Sequence, residues 1–316
     1  MEKHGSGPWS RGEGVIPQGQ AAPGLMGEAP FQGSEKPSVG KGARIYCDVH
    51  RTRKNGEGFR ITFTADGVTF RHVDSFLEIP ANAGDRVFVD VLPLQHTDGV
   101  IELLRRGVEV YYLRRTTLIA KRREELKLSK SARSDIKALM AVEERWFRMV
   151  SEDFVVMRRM IAAYRSLMKS HQQLLNKSKA LSQREGDALK PAMKAIEEQM
   201  RELAVEISEE AGRRYQAYRR VVEELGIDHS FSAMEALAEL MTYIDFKSPL
   251  RGLKKLLGLY KPIKSKKKKH WRLYNGQLRQ AVNRLATACY RTIPNGRQCW
   301  LVVRHIKELS TPQTQG

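Results

Sequence analysis

Aspartate and glutamate are missing altogether from residues 247–307 of this 316-residue chain, a stretch that carries 17 lysines and arginines. Cysteine is scarce. Cys47, Cys289 and Cys299 are the full set, with no C-x-x-C spacing, which excludes a disulfide framework and a cysteine-built zinc site and suits a reducing cytoplasm. No apolar run is long enough to span a bilayer, and the first residues lack a charged-then-apolar leader pattern, so neither a membrane span nor a secretory signal is expected. "SVGKGA" (38–43) lacks the glycine spacing and the hydroxyl residue after lysine that a phosphate loop requires.

The missing acids matter because of what they leave. The formal net charge is +19, and outside 247–307 there remain 38 basic against 36 acidic residues. Nearly the whole excess lies in one C-terminal block. A polyanion, most simply nucleic acid, is the partner this favours. The block has no clean amphipathic helix with a lipid face, which sets an anionic membrane surface behind nucleic acid.

Five regions follow from composition and periodicity. Residues 1–41 are rich in Gly, Pro, Ser and Gln without a period and read as a disordered tail. Residues 42–142 read as an α/β domain. Strands are expected at 43–50, 58–65, 67–73, 85–92 and 108–113, with a "DG" hairpin turn at 66–67 and a helix at 97–107 ending on Gly107. Residues 143–225 read as a long antiparallel helical hairpin, or coiled coil. Phe154, Met157, Ile161, Tyr164 and Met168 fall at three- and four-residue steps, and Gly186 and Pro191 break the two arms. Its exposed end is expected to pack on a partner chain. Residues 226–309 read as a small basic helical domain, in which 276–291 forms a helix with Leu278, Val282, Leu285 and Ala286 on one face. Residues 310–316 are a tail.

Asp48 and Asp90 each follow a short apolar run in a predicted strand. A carboxylate there costs several kcal/mol unless paired or metal-bound. Two of them in neighbouring strands would bring together oxygen ligands of the kind hard divalent cations take. Capping a strand while facing water is the plainer reading. Asp135 in "KSARSDIKALM" (130–140) begins a helix that would either deliver a third carboxylate or simply place an acid in a first turn.

The order of these pieces resembles insertion-sequence transposases that join a RuvC-like, RNase H-fold domain to a serine-bearing transposase domain, the bridge-RNA-guided serine recombinases. That family has an Asp in the first strand, an acid in the fourth, a "K-T-D-x-x-D-A" helix, a coiled-coil insertion, then "G-L-x-P", an "S-G" nucleophile, a basic stretch and "G-N-x-x-L-R". Here stand Asp48, Asp90, Asp135, "GLYKP" (258–262), Ser265, the lysine run and "YNGQLRQAV" (274–282). The resemblance spans about residues 43–291.

It implies a DNA recombinase or transposase working by transposition chemistry. Asp48, Asp90 and Asp135 would be Mg²⁺ ligands, with two ions in the family, and Ser265 would be the nucleophile. A structured guide RNA and a homodimer or homotetramer through the hairpin follow from the resemblance too, with a cytoplasmic, nucleoid-associated location on DNA. Lys261, Lys264, Lys266, Lys267, Lys268, Lys269 and Arg272 would hold the strand beside Ser265, with Asn275, Gln277 and Arg279 as further contacts. Trp271 is either a stacking platform or core. The chain also departs from the pattern. Asp90 replaces the usual Glu, Ala132 replaces the first Asp of the helix motif, "S-G" is Ser265-Lys266, and "G-N" is Asn275-Gly276. On the resemblance, three carboxylates would hold a second ion only weakly. Two alternatives therefore stand beside the recombinase: a catalytically impaired nucleic-acid-binding descendant, and a RuvC-like nuclease that lacks serine chemistry.

Overall fold

The computed structural model describes residues 42–51, 59–259 and 274–310. The tails at 1–41 and 311–316 lie outside the described residues.

Among the described residues six strands form one mixed sheet. They are β1 (Arg44–Arg51), β2 (Phe59–Thr64), β3 (Arg71–Val73), β4 (Arg86–Val89), β5 (Glu109–Leu113) and β6 (Phe147–Met149). Their spatial order is β3-β2-β1-β4-β5-β6. β1, β4 and β5 run parallel, while β2, β3 and β6 are antiparallel to their neighbours. Side-chain alternation gives the sheet two buried faces. Ile45, Cys47, Val49, Val87 and Val89 enter one core and Tyr46 and Phe88 the other. The first face is covered by α1 (Thr97–Arg105), the crossover from β4 to β5. The second is covered by α2 (Thr117–Glu125) and α3 (Ala132–Met140).

The "DG" signal marks a turn between β2 and β3. The Asp66 carboxylate accepts the Val68 and Thr69 N–H groups at 2.8 Å each, and Gly67 supplies φ +74°. Residues 147–149, read from sequence as the start of the helical hairpin, instead form β6. Met149 pairs with Tyr111 and Phe147 with Leu113. A short segment of helix-compatible composition is recruited to the free edge of β5, where pairing outweighs local propensity.

The hairpin is α4 (Glu152–Ala180), a short α5 (Gln183–Asp187) at the apex and α6 (Lys190–Arg214). A capping box between Ser182 and Glu185 starts α5. Among the described residues five further helices follow: α7 (Tyr218–Leu225), α8 (Phe231–Tyr243), α9 (Leu250–Leu256), α10 (Gly276–Tyr290) and α11 (Gly296–Ser310). One core runs through all of these except α5. It takes Met157 and Ile161 from α4, Ile207 from α6, Leu237 from α8, Leu253 from α9, Val282 from α10 and Val303 from α11. The base of the hairpin and the basic helices thus share their interior, across the sequence boundary at 225. Phe154 links this part to the sheet by stacking on Tyr112 at 5.6 Å and meeting Tyr243 edge-on at 5.8 Å. Among the described residues no helix is long and apolar enough to cross a membrane.

Candidate carboxylate site and nucleic-acid interface

Asp48 lies in β1, two residues after Tyr46, and Asp90 lies just beyond β4, two residues after Phe88. The parallel register pairs Tyr46 with Phe88 and Cys47 with Val89. The next alternate positions along both strands are the two aspartates, side by side on the face that α3 covers. Asp48 is buried, and its Oδ2 lies 3.1 Å from His50 Nδ1. Asp90 Oδ1 accepts the Val49 N–H at 3.3 Å. Burial, then the Asp48 charge, pushes the Asp90 carboxyl up to about 7. Asp48 is also raised, by burial and then by the charge of Asp135, with His50 opposing.

Asp135 arrives from the first turn of α3. Ser131 caps that helix by accepting the Ser134 N–H at 3.1 Å. Burial raises the Asp135 carboxyl, against the pull of Arg123 and Lys130. Arg123 Nε of α2 stands 2.9 Å from Asp135 Oδ1, with both side chains largely buried. Asp48 in β1 thus raises Asp90, just beyond β4, and is itself raised by Asp135 of α3. Ala132, one turn before Asp135 on the same helix, carries no carboxylate. Arg123, unsuspected from the sequence, supplies a cation.

The donor set is all oxygen and two of its members are desolvated, which fits a hard divalent ion such as Mg²⁺. The side chains are not drawn together as ligands. Among the described residues no group of three or more His, Cys, Asp or Glu is placed to hold a metal ion. Without a cation, Asp90 is a carboxyl poised near neutral pH, suited to accept or return a proton.

Ser265 and its neighbours Lys261, Lys264, Lys266, Lys267, Lys268, Lys269, Trp271 and Arg272 lie outside the described residues. The two chain ends that flank them do not. Gly258 packs against the ring of Tyr274, and Asn275 N donates to Leu256 O at 2.9 Å. The described residues on either side of 260–273 thus meet at one spot on the helical core, between α9 and α10. Asn275 caps α10, because its Oδ1 accepts the Gln277 and Leu278 N–H groups at 3.0 and 3.2 Å. Gln277 accepts from Arg165 Nη1 at 2.7 Å. Arg279 is half-buried, and its Nη1 has no hydrogen-bond partner among the described residues.

Not every cation of the basic block faces outward. Arg284 Nη1 meets Glu235 at 2.5 Å and its Nη2 meets Glu239 at 3.2 Å. Arg165 of α4 closes the cluster on Glu239. Lys307 donates to Phe246 O and to Ser248 O, and Lys254 lies 5.2 Å from the Trp300 ring centre. Glu235 and Glu239 are buried, and Glu235 is pushed up to about 7 by burial, with Arg284 opposing. Sequence reasoning passed over this pair. The signal was there: two glutamates four apart inside the otherwise apolar "FSAMEALAELM".

No protein-family model matches the chain, and no curated protein matches it either.

Proposed function

We propose that this protein is a nucleic-acid-acting phosphoryl transferase of the serine-recombinase type, with an RNase H-like carboxylate domain and a basic helical domain. One observation carries the reading. Asp48, Asp90 and Asp135 come from β1, the end of β4 and α3, and each raises or feels the charge of another. Carboxylates desolvated by the fold and perturbed by one another mark functional sites more often than structural ones. The sheet supports an RNase H-like assignment: three antiparallel strands are followed by two parallel ones, and a helix bears a carboxylate toward the first strand.

In this reading Asp48, Asp90 and Asp135 would hold Mg²⁺. The bound ion would supply charge stabilisation at a phosphodiester. Ser265 Oγ attacks the phosphorus, a phosphoserine bond forms, and the bond to the 3′ oxygen breaks. The serine hydroxyl gives its proton to water, and the leaving 3′ oxygen takes a proton from water and departs as a 3′ hydroxyl. Exposed lysines and arginines of 247–307 hold the strand by phosphate contacts that release counterions. A guide RNA and a homodimer or homotetramer follow from the family resemblance alone.

A second reading is favoured by a specific contact. The Arg123–Asp135 pair, together with Ala132, is what a binding protein that has lost catalysis would contain. Full-length protein, duplex DNA from the gene's flanks and Mn²⁺ distinguish the two. The recombinase forms a denaturation-resistant protein–DNA adduct that Ser265→Ala and Asp48→Asn both abolish, with binding retained. Binding without adduct or Mn²⁺ uptake selects the impaired descendant. Adduct formation by Ser265→Ala rules out serine chemistry, and absence of nucleic-acid binding overturns both readings.

A further inference from the structure

The turn between α10 and α11 combines exposure, a fixed backbone and charge. Ile293 is 96% exposed, the most exposed large apolar side chain among the described residues. A single exposed apolar residue is ordinary by itself. This one stands on a fixed apex. Arg291 ends α10 in the left-handed region, with φ 54°. Pro294 locks the next turn of backbone. Asn295 then starts α11: its Oδ1 accepts from Arg297 N at 2.9 Å and Gln298 N at 3.0 Å, and Gln298 Oε1 accepts the Asn295 N–H at 2.9 Å. Cys299 Sγ beneath the turn donates to Asn283 Oδ1 of α10 at 3.3 Å and ties the two helices.

The third property is charge. Arg291 and Arg297 bracket the apex and are exposed, and among the described residues neither pairs with a carboxylate. The apex lies in the acid-free stretch 247–307. An apolar tip flanked by free guanidinium groups suits a surface that is anionic outside and apolar inside. A protein partner's apolar groove would not require the bare cations. The phosphates and stacked bases of a duplex match both elements, because apolar wedges flanked by arginine enter a base step through the minor groove and kink it.

We infer that the α10–α11 turn is a wedge that inserts Ile293 into a base step of duplex DNA while Arg291 and Arg297 hold the flanking phosphates. This rests on the nucleic-acid reading above but on none of its catalytic residues. The turn is preorganised, so little ordering is needed on contact. The favoured site is a step already weakened, such as a flexible TA step, a mismatch or a bulge.

The test uses the full chain and 30-base-pair duplexes, end-labelled for energy transfer, with a perfect, TA-rich or singly bulged centre. Wild type is expected to bend the duplex and to prefer the bulged centre about tenfold. Ile293→Ser should abolish the bend and the preference, leaving the slope of log affinity against log salt unchanged. Arg291→Gln and Arg297→Gln should each lower that slope by about one and keep the preference. Ile293→Ser acts on an exposed side chain, so its fold is checked simply by an unchanged melting temperature. If wild type binds but Ile293→Ser bends and discriminates equally well, the wedge is refuted and the binding reading survives. If wild type binds no duplex, both fall. If the tip instead binds another protein and the bend is absent, the wedge is refuted as well.

Discussion

Gly258 and Tyr274 touch across the lysine segment that separates them in sequence. A Cβ on Gly258 would stand 2.6 Å from Tyr274 Cγ, and the glycine sits at φ +64°. No other residue type satisfies both conditions. This contact, with the Asn275–Leu256 backbone bond, ties the end of α9 to the start of α10.

Gly258→Ala is therefore expected to cost about 1–3 kcal/mol. That lowers the melting temperature by several degrees in a chain of this size. Gly252→Ala is the control. It lies in α9, with nothing within 4 Å of its would-be Cβ, and alanine there should be neutral or slightly stabilising. Calorimetric melting of both variants checks this, and equal melting temperatures would show that Tyr274 yields freely.

The carboxylate site should leave a signature in stability against pH. Asp90 is pushed up to about 7, whereas an unfolded chain ionises its aspartates near about 3.9. Between those values the folded state binds a proton that the unfolded state does not. Stability contributed by the neutral carboxyl is thus fully present in acid and lost as pH rises through 7. Asp90→Asn mimics the protonated form. Its stabilisation relative to wild type should be least below pH 4, grow by about 3 kcal/mol between pH 4.5 and pH 8, and be flat above the folded value, without divalent ions. Mn²⁺ should then raise the melting temperature of wild type and leave Asp90→Asn unmoved. Denaturant unfolding at the two pH values, with and without Mn²⁺, measures all four terms.

Much of this site was legible because β-structure writes its pattern locally. An apolar run ending in aspartate occurs twice, and the parallel register of β1 and β4 turns that repetition into adjacency. Helix α3 was legible through its polar break and its following periodicity. What was not legible came from tertiary neighbours. Nothing near Arg123 in sequence distinguishes it from the other cations of "AKRREE", and only the packing of α2 on α3 brings it to Asp135. The same limit applies to the basic block. Its charge was countable, but Arg284 turns inward to Glu235 and Glu239, so the count overstates the cations facing solvent. α9–α11 also contribute Leu253, Val282 and Val303 to the helical core. Binding by this block must then be tested with single charge substitutions, since removing it would remove the core.

The buried ion cluster leads to a third expectation. Arg284→Met leaves Glu235 and Glu239 with Arg165 as their only remaining cation in the cluster. Breaking one side of a buried ion pair typically costs about 3–5 kcal/mol. Glu235 already lies near about 7, and losing the guanidinium raises it further. Protonation therefore relieves the variant in acid. The loss should be largest at pH 8 and clearly smaller at pH 5. A loss independent of pH would mean that packing of the Arg284 stem, and not its charge, is what matters.

Ala132 and Arg123 separate a metal site from a structural carboxylate cluster. Ala132 begins α3, and Asp135 follows three residues later on the same helix face. A carboxylate at 132 is compatible with a first helical turn, where the helix dipole favours negative charge. Without metal, Ala132→Asp should therefore change stability by less than about 1 kcal/mol. Its effect belongs to the loaded state, where a fourth oxygen ligand should tighten Mn²⁺ about tenfold or more. Arg123→Gln approaches the same site from the opposite direction. The guanidinium now competes with any cation for Asp135 Oδ1 at 2.9 Å, so its removal should also tighten Mn²⁺. The two changes act on neighbouring groups and should couple in the double variant. Titration calorimetry of the three variants and wild type with Mn²⁺ reads each affinity directly. If Arg123→Gln and Ala132→Asp both leave Mn²⁺ uptake at the level of Asp48→Asn, the carboxylates serve the fold, and the nucleic-acid-binding descendant is the account that remains.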